Sequence, residues 1–175
     1  MLYLTRHGQT DWNVQRRICG ITDIGLTEKG RDQALRTAHT LADKNIGIII
    51  SSPLKRATET SEIIGKGIGA KIIIDNRLTE QNYGIYEGVD HKDEAFLRNK
   101  RQFAYKYPGG ESMMQVAARV YPLIEEIKAD HRDRNVLIVT HGGICRVIHS
   151  YFCDMTNEEY FNYVHGNCAV GEYPI

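Results

Sequence analysis

The sequence predicts an α/β fold, a three-layer α/β/α sandwich around a mostly parallel central sheet. Three observations carry that expectation. Short apolar runs rich in β-branched residues recur without polar alternation, as in strands covered on both faces. Longer stretches between them carry apolar residues at helical spacing. Several of those stretches open on a capping residue. Strands alternating with helices build an open sheet with helices on both faces.

Leu2–Thr5 reads as the first strand. Thr27 caps a helix whose Ala34, Ala38, Leu41 and Ala42 share a face. Ile46–Ser51 is the second strand. Ser52-Pro53 after it offers a capping hydroxyl and then a proline at the first helical position. Lys71–Ile74 is the third strand. Val89–Tyr107 is polar and charged, and reads as a helix lying over the surface. Ser112 with Gln115 fits a capping box, and the helix it opens carries Val116, Ala117, Val120, Ile124 and Ile127 at helical spacing. Pro122 inside it should kink the helix or shift its start. Val136–Thr140 is the fourth strand, Gly142-Gly143 leads into a helix over Ile144–Phe152, and Asn167–Tyr173 is the fifth strand.

A length of 175 residues, against about 150 per domain, predicts one domain over residues 1–175. No repeat or linker divides it, and a small helical lid is expected at about 88–108. Lys+Arg and Asp+Glu are both 22, so the formal charge is zero. That excludes a chain-wide basic field for nucleic acid or membranes. A hydrophobic fraction of 42% with no net charge excludes a disordered chain. The N-terminus has no signal-like apolar stretch. Cys19, Cys145, Cys153 and Cys168 show no framework spacing, so reduced thiols in the cytoplasm are expected. No zinc-type spacing of His and Cys occurs, so neither a metal nor another cofactor is expected.

In open α/β sheets ligands bind beyond the carboxyl ends of the strands. Those ends hold Arg6 and His7, Ser51 and Ser52 with Arg56 one turn into the next helix, Glu80, and His141 with Gly142. Helical side chains lean back toward the N-terminus, so Arg56 reaches the sheet edge. Gly142 lets the backbone approach a bound group, and the helix starting there adds free N–H groups. Two arginines and two histidines in one place make an anion-shaped cavity, because arginine grips phosphate oxygens in pairs.

Six ordered motifs add a resemblance. Arg6-His7-Gly8-Gln9-Thr10-Asp11-Trp12-Asn13 comes first, then Leu26-Thr27-Glu28-Lys29-Gly30 with Gln33-Ala34, then Ser51-Ser52-Pro53-Leu54-Lys55-Arg56-Ala57 with Thr60. Leu78-Thr79-Glu80 with Tyr83-Gly84 and Tyr86-Glu87-Gly88, Pro108-Gly109-Gly110-Glu111-Ser112, and Val139-Thr140-His141-Gly142 complete the set. The chain resembles the histidine phosphatase superfamily, the branch of cofactor-dependent phosphoglycerate mutases and small phosphomonoesterases. The resemblance implies a metal-independent phosphatase acting on a small phosphorylated metabolite. It implies His7 as the nucleophile that becomes a phosphohistidine, with Arg6, Arg56 and His141 around the phosphoryl oxygens. Glu80 would protonate the departing alkoxide, with Glu87 a nearby rival. Asn13 resembles a phosphate-contacting residue, Cys19-Gly20 aligns with a loop lining the pocket, and Tyr83 matches the mutases. A homodimer is also among the expectations.

The main alternative is a phosphoglycerate-type mutase, which returns the phosphoryl group to substrate. The 88–108 stretch is short and lacks an Arg-Arg pair, and Gln81 stands where mutases carry arginine. Both points favour the phosphatase. A non-catalytic phosphate-sensing module is the third possibility, disfavoured because Arg6, His7, Arg56, Glu80 and His141 are all present.

Overall fold

Five strands form one sheet in the order β3-β2-β4-β1-β5, with β1 (Leu2–Arg6), β2 (Ile46–Ser51), β3 (Lys71–Ile74), β4 (Asn135–Thr140) and β5 (Val170–Tyr173). The computed structural model describes all 175 residues. The four strands β1 to β4 are parallel, and β5 runs antiparallel to β1. Apolar side chains leave both faces of the middle strands. Leu2, Leu4, Val136 and Ile138 enter the larger core cluster on one face, with Val120, Ile124 and Ile148. Tyr3, Leu137, Val139 and Ile49 enter the other, with Ala34, Leu41 and Ile64.

Helices fill both faces: α1 (Asp11–Val14), α2 (Glu28–Leu41), α3 (Lys55–Ile68), α4 (Glu94–Lys100), α5 (Met113–Asp130), α6 (Gly142–Phe152) and α7 (Asn157–Asn162). α2 starts as expected, with Thr27 Oγ1 accepting from the Gly30 N–H; Ala34, Ala38 and Leu41 are buried, while Ala42 is its exposed C-cap. Ser112 and Gln115 form the expected capping box on α5. That helix continues through Pro122. The proline is exposed, as is Ala118 four residues before it, so water can serve the carbonyl that the ring leaves unbonded.

Four local expectations need correction. Ser52 does not cap α3: the helix begins at Lys55 with Leu54 as N-cap, because the Ser52 hydroxyl is engaged by His141. Arg56 is consequently the second residue of the helix instead of one turn in. β5 begins at Val170, since Cys168 adopts a positive φ of 58° that interrupts an extended chain. β3 is an edge strand rather than a doubly covered one, with Ile73 and Ile74 exposed. The 89–107 stretch is helical only over α4; the rest is turns held by a small aromatic cluster of Ile18, Phe96 and Tyr107 with Tyr83 and Tyr86.

Candidate active site

β1 and β4 pair in register, Arg6 against Thr140, so both strands deliver a histidine at the same level. The His7 N–H donates to the Thr140 carbonyl at 2.9 Å. The two imidazoles, His7 and His141, lie 5.2 Å apart between centroids. Both are buried, His7 at 3% exposure and His141, like Arg56, at 0%.

His7 Nδ1 lies 2.7 Å from the carbonyl oxygen of Gly8. A carbonyl only accepts, so Nδ1 carries the proton and the neutral ring keeps its lone pair on Nε2. Burial holds the His7 pKa well below the usual histidine range, reinforced by Arg6 and Arg56. His141 is depressed in the same way, by burial first and then by Arg56, His7 and Arg6. Its Nε2 meets Ser52 Oγ at 2.6 Å.

Arg56 sends Nη2 to the Gly20 carbonyl at 2.6 Å and Nη1 to the Thr22 carbonyl at 2.8 Å. Arg6 donates from Nη1 to the His165 carbonyl at 3.3 Å. Four buried side-chain polar atoms have no partner, and three of them are Arg6 Nε, Arg56 Nε and His141 Nδ1. A buried polar group without a partner costs about 1–3 kcal/mol. Concentrating three at one point suits an acceptor-rich anion.

Glu80, also buried, faces the same pocket. Its Oε2 accepts from the Gly143 N–H and its Oε1 from the Gln81 N–H, each at 2.9 Å. A side chain at Gly143, in the first turn of α6, would meet the Glu80 carboxylate and displace it. Glu87 is placed differently. It accepts from the N–H groups of Gly20, Ile21 and Thr22, from the Thr22 hydroxyl and from the Tyr83 N–H. The 20–22 strap is thus held by its N–H groups on Glu87 and by its carbonyls on Arg56.

The pocket encloses about 220 Å³. Arg6, His7, Asn13, Cys19, Tyr83 and Gly142 line it, as the sequence leads one to expect. Asn13 spends its Oδ1 on the Thr10 N–H. Gly20 lies behind the lining, packed against Glu87 and the backbone of Gln81. Burial raises the Cys19 thiol to about 11, so it stays a thiol. Arg17, His91, Lys100 and Arg146 also line the pocket and are absent from the sequence-derived set. For Arg146 a signal existed: it stands four residues after Gly142 on one helix and so shares its face.

A family model described as histidine phosphatase superfamily (branch 1) matches residues 2–174. The chain belongs to the histidine phosphatase superfamily. Among curated superfamily members, a glucosyl-3-phosphoglycerate phosphatase of Mycobacterium tuberculosis is 37% identical over 157 residues, covering 82% of this chain and 70% of that protein. A probable phosphoglycerate mutase of Escherichia coli is 38% identical over 148 residues, covering 81% of this chain and 69% of that one. Among solved structures, a mycobacterial glucosyl-3-phosphoglycerate phosphatase in complex with VO3 superposes with a TM-score of 0.86 at 33% identity, covering 97% of this chain and 88% of the other. Bacillus stearothermophilus YhfR gives 0.84 at 35% identity, with the same coverage.

Proposed function

We propose that this chain is a phosphomonoesterase that hydrolyses a small phosphorylated metabolite through a phosphohistidine, using neither metal nor organic cofactor. The lone pair of His7 Nε2 attacks phosphorus, and the ester oxygen leaves on the opposite side. The P–O bond breaks as the N–P bond forms. Arg6, Arg56 and His141 stabilise the charge on the equatorial oxygens. Asn13 contacts the phosphate. Glu80 gives its proton to the departing alkoxide, then takes one from the water that cleaves the N–P bond and restores His7. Gly142 admits the phosphoryl group close to the backbone, and Cys19, Gly20 and Tyr83 shape the space for the alcohol portion. Holding the groups in line contributes up to about 7–11 kcal/mol in well-oriented systems.

The observation that carries this reading is the His7 tautomer. Its proton is fixed on Nδ1 by Gly8 O, and Nε2 is left unprotonated among the unpartnered nitrogens of Arg6, Arg56 and His141. Glu80 is preferred to Glu87 as proton donor because Glu87 is already saturated by the 20–22 strap. The segment at 88–108 is read as a lid over the pocket, within a single domain over residues 1–175. A homodimer is proposed through the uncovered β3 edge, where Ile73 is 40% exposed. A cytoplasmic location completes the proposal. No helix is long and apolar enough to cross a membrane.

A phosphatase screen over small phosphate esters in EDTA tests the function. Phosphate release should persist in EDTA, disappear in His7→Ala and be inhibited by vanadate. Acid-labile phosphate should appear on the wild-type chain alone. Strict metal dependence, or full activity in the variant, would overturn the reading. The relative named a probable phosphoglycerate mutase keeps a second reading in play. Bisphosphoglycerate-stimulated isomerisation with little phosphate release would promote it.

A further inference from the structure

Ser52 follows β2 directly, is buried at 0% exposure and has no part in the reaction proposed above. Its backbone is pinned at the sheet end. The N–H donates to the Val139 carbonyl at 3.0 Å, and the carbonyl accepts from the Ser51 hydroxyl at 3.0 Å. Its own hydroxyl oxygen makes two contacts. It accepts from the Leu54 N–H at 3.3 Å and meets His141 Nε2 at 2.6 Å.

A hydroxyl has one proton to give and two lone pairs to offer; a neutral imidazole has one N–H and one acceptor nitrogen. Burial first, then Arg56, His7 and Arg6, hold the His141 ring neutral, so one of its nitrogens is bare. Counting protons decides which. With the proton on Nε2, Ser52 Oγ would accept twice, and its own buried proton would have no acceptor. Nδ1, which has no protein partner, would be a second orphan. With the proton on Nδ1, the Leu54 N–H fills one lone pair of Ser52, the serine proton goes to Nε2, and one orphan donor remains. Buried polar groups pair wherever geometry allows, which favours the second arrangement. A phosphoryl oxygen beside the ring would accept from that orphan donor, whereas it would repel a lone pair.

We propose that Ser52 is a positioning residue that sets the His141 tautomer: its hydroxyl donates to Nε2, so that His141 keeps its proton on Nδ1 and offers it to a phosphoryl oxygen. His7 is set the opposite way, because the Gly8 carbonyl holds its Nδ1 proton and leaves Nε2 bare. Two like side chains, 5.2 Å apart between centroids, thus receive unlike parts from their fixed neighbours, one a nucleophile and one a donor. The use made of the proton rests on the phosphatase reading above; the tautomer itself does not.

Nitrogen-15 NMR of the full chain labelled in histidine reads the tautomer directly, since protonated and bare ring nitrogens resonate far apart. At pH 7.5 His141 Nδ1 should be the protonated nitrogen, its signals identified by their loss in His141→Asn. A proton on Nε2 in the wild-type chain overturns the proposal, whatever the variants do. In Ser52→Ala the Nε2–H form should appear, and kcat/KM for p-nitrophenyl phosphate should fall about tenfold or more. Ser52→Thr, which keeps the hydroxyl, should restore both. In a His141→Ala background Ser52→Ala should cost nothing further. An equal second loss there would mean that Ser52 acts through Leu54 and the start of α3, and overturns the assignment. Failure of the phosphatase reading looks different: the wild-type chain hydrolyses no phosphate ester, while the NMR still decides the tautomer.

Discussion

The floor and the wall of the pocket are built by different means. The floor consists of Arg6 and His7, which line the pocket, with Arg56 and His141 buried beside them; they leave the ends of β1 and β4 and the first turn of α3. Their positions are set by sheet register and a buried helix start, among the most restrained backbone in a domain. The wall consists of the 17–22 strap, the 88–108 segment and the start of α6. It is held mostly by side chains, Glu87 on three successive N–H groups and aromatic packing around Phe96, with one backbone β-bridge between Arg17 and Asp90. The contrast separates two jobs. On the proposed mechanism the sheet fixes the phosphoryl chemistry, and loop side chains choose what else enters.

The largest effect should fall on the floor. His7→Ala should lower kcat by about 10⁴-fold or more while the fold, followed by circular dichroism, is kept. A variant retaining a tenth of wild-type turnover would show that the floor does not carry the chemistry. Next come the two carboxylates. Glu80→Gln should cost about 10²–10⁴ on alkyl phosphates and far less on p-nitrophenyl phosphate, whose leaving group needs no proton. Glu87→Gln should act equally on both esters, raise KM and lower stability by about 1–3 kcal/mol. Leaving-group dependence in Glu87→Gln instead would reverse the assignment.

Phe96→Ala tests how far the wall is separate. Removing a buried aromatic costs about 3–5 kcal/mol, and here that should appear as early proteolysis within 88–108 while the sheet still unfolds as one cooperative unit. Protection of that segment equal to wild type would mean that floor and wall are one unit. The smallest effect is acid sensitivity. His7 and His141 have depressed pKa values in the folded chain, against 6.5 unfolded. Above pH 6.5 neither state is protonated at these sites. Below it the unfolded chain takes up protons that the folded site refuses, so stability falls with pH by up to about 1.4 kcal/mol per unit for each histidine. Urea midpoints between pH 7.5 and 5 should show this slope, and His141→Asn should flatten it. An identical slope in the variant would rule the floor out as its source.

The same division decides what was legible in the sequence. β2 and β3 lie where their apolar runs stop, at Ile46–Ser51 and Lys71–Ile74, because strand limits follow from local composition. The floor could be read because each of its residues ends, follows or opens a recognisable element. Ser52 misled because its hydroxyl meets His141, 89 residues away, and accepts only from the N–H of the N-cap Leu54, not from within the helix. Lys100 and Arg146 looked like ordinary charged residues. Nothing near Lys100 indicates that α4 ends at a pocket, since that placement depends on Phe96 packing against Tyr83 and Tyr107.

β1 has one further property. It is flanked by β4 and β5, so Leu2 pairs with both Val136 and Tyr173. Asn167 Nδ2 also donates to the His7 carbonyl, and the Cys168 N–H to that of Arg6. β1 therefore finds its partners only in β4 and β5, more than 130 residues further along the chain. Such distant pairings fold slowly and leave an apolar edge open while they wait. The backbone of His7 is therefore held on one side by Thr140 and on the other by Asn167, so its place is complete only when the segments on both sides of β1 have docked.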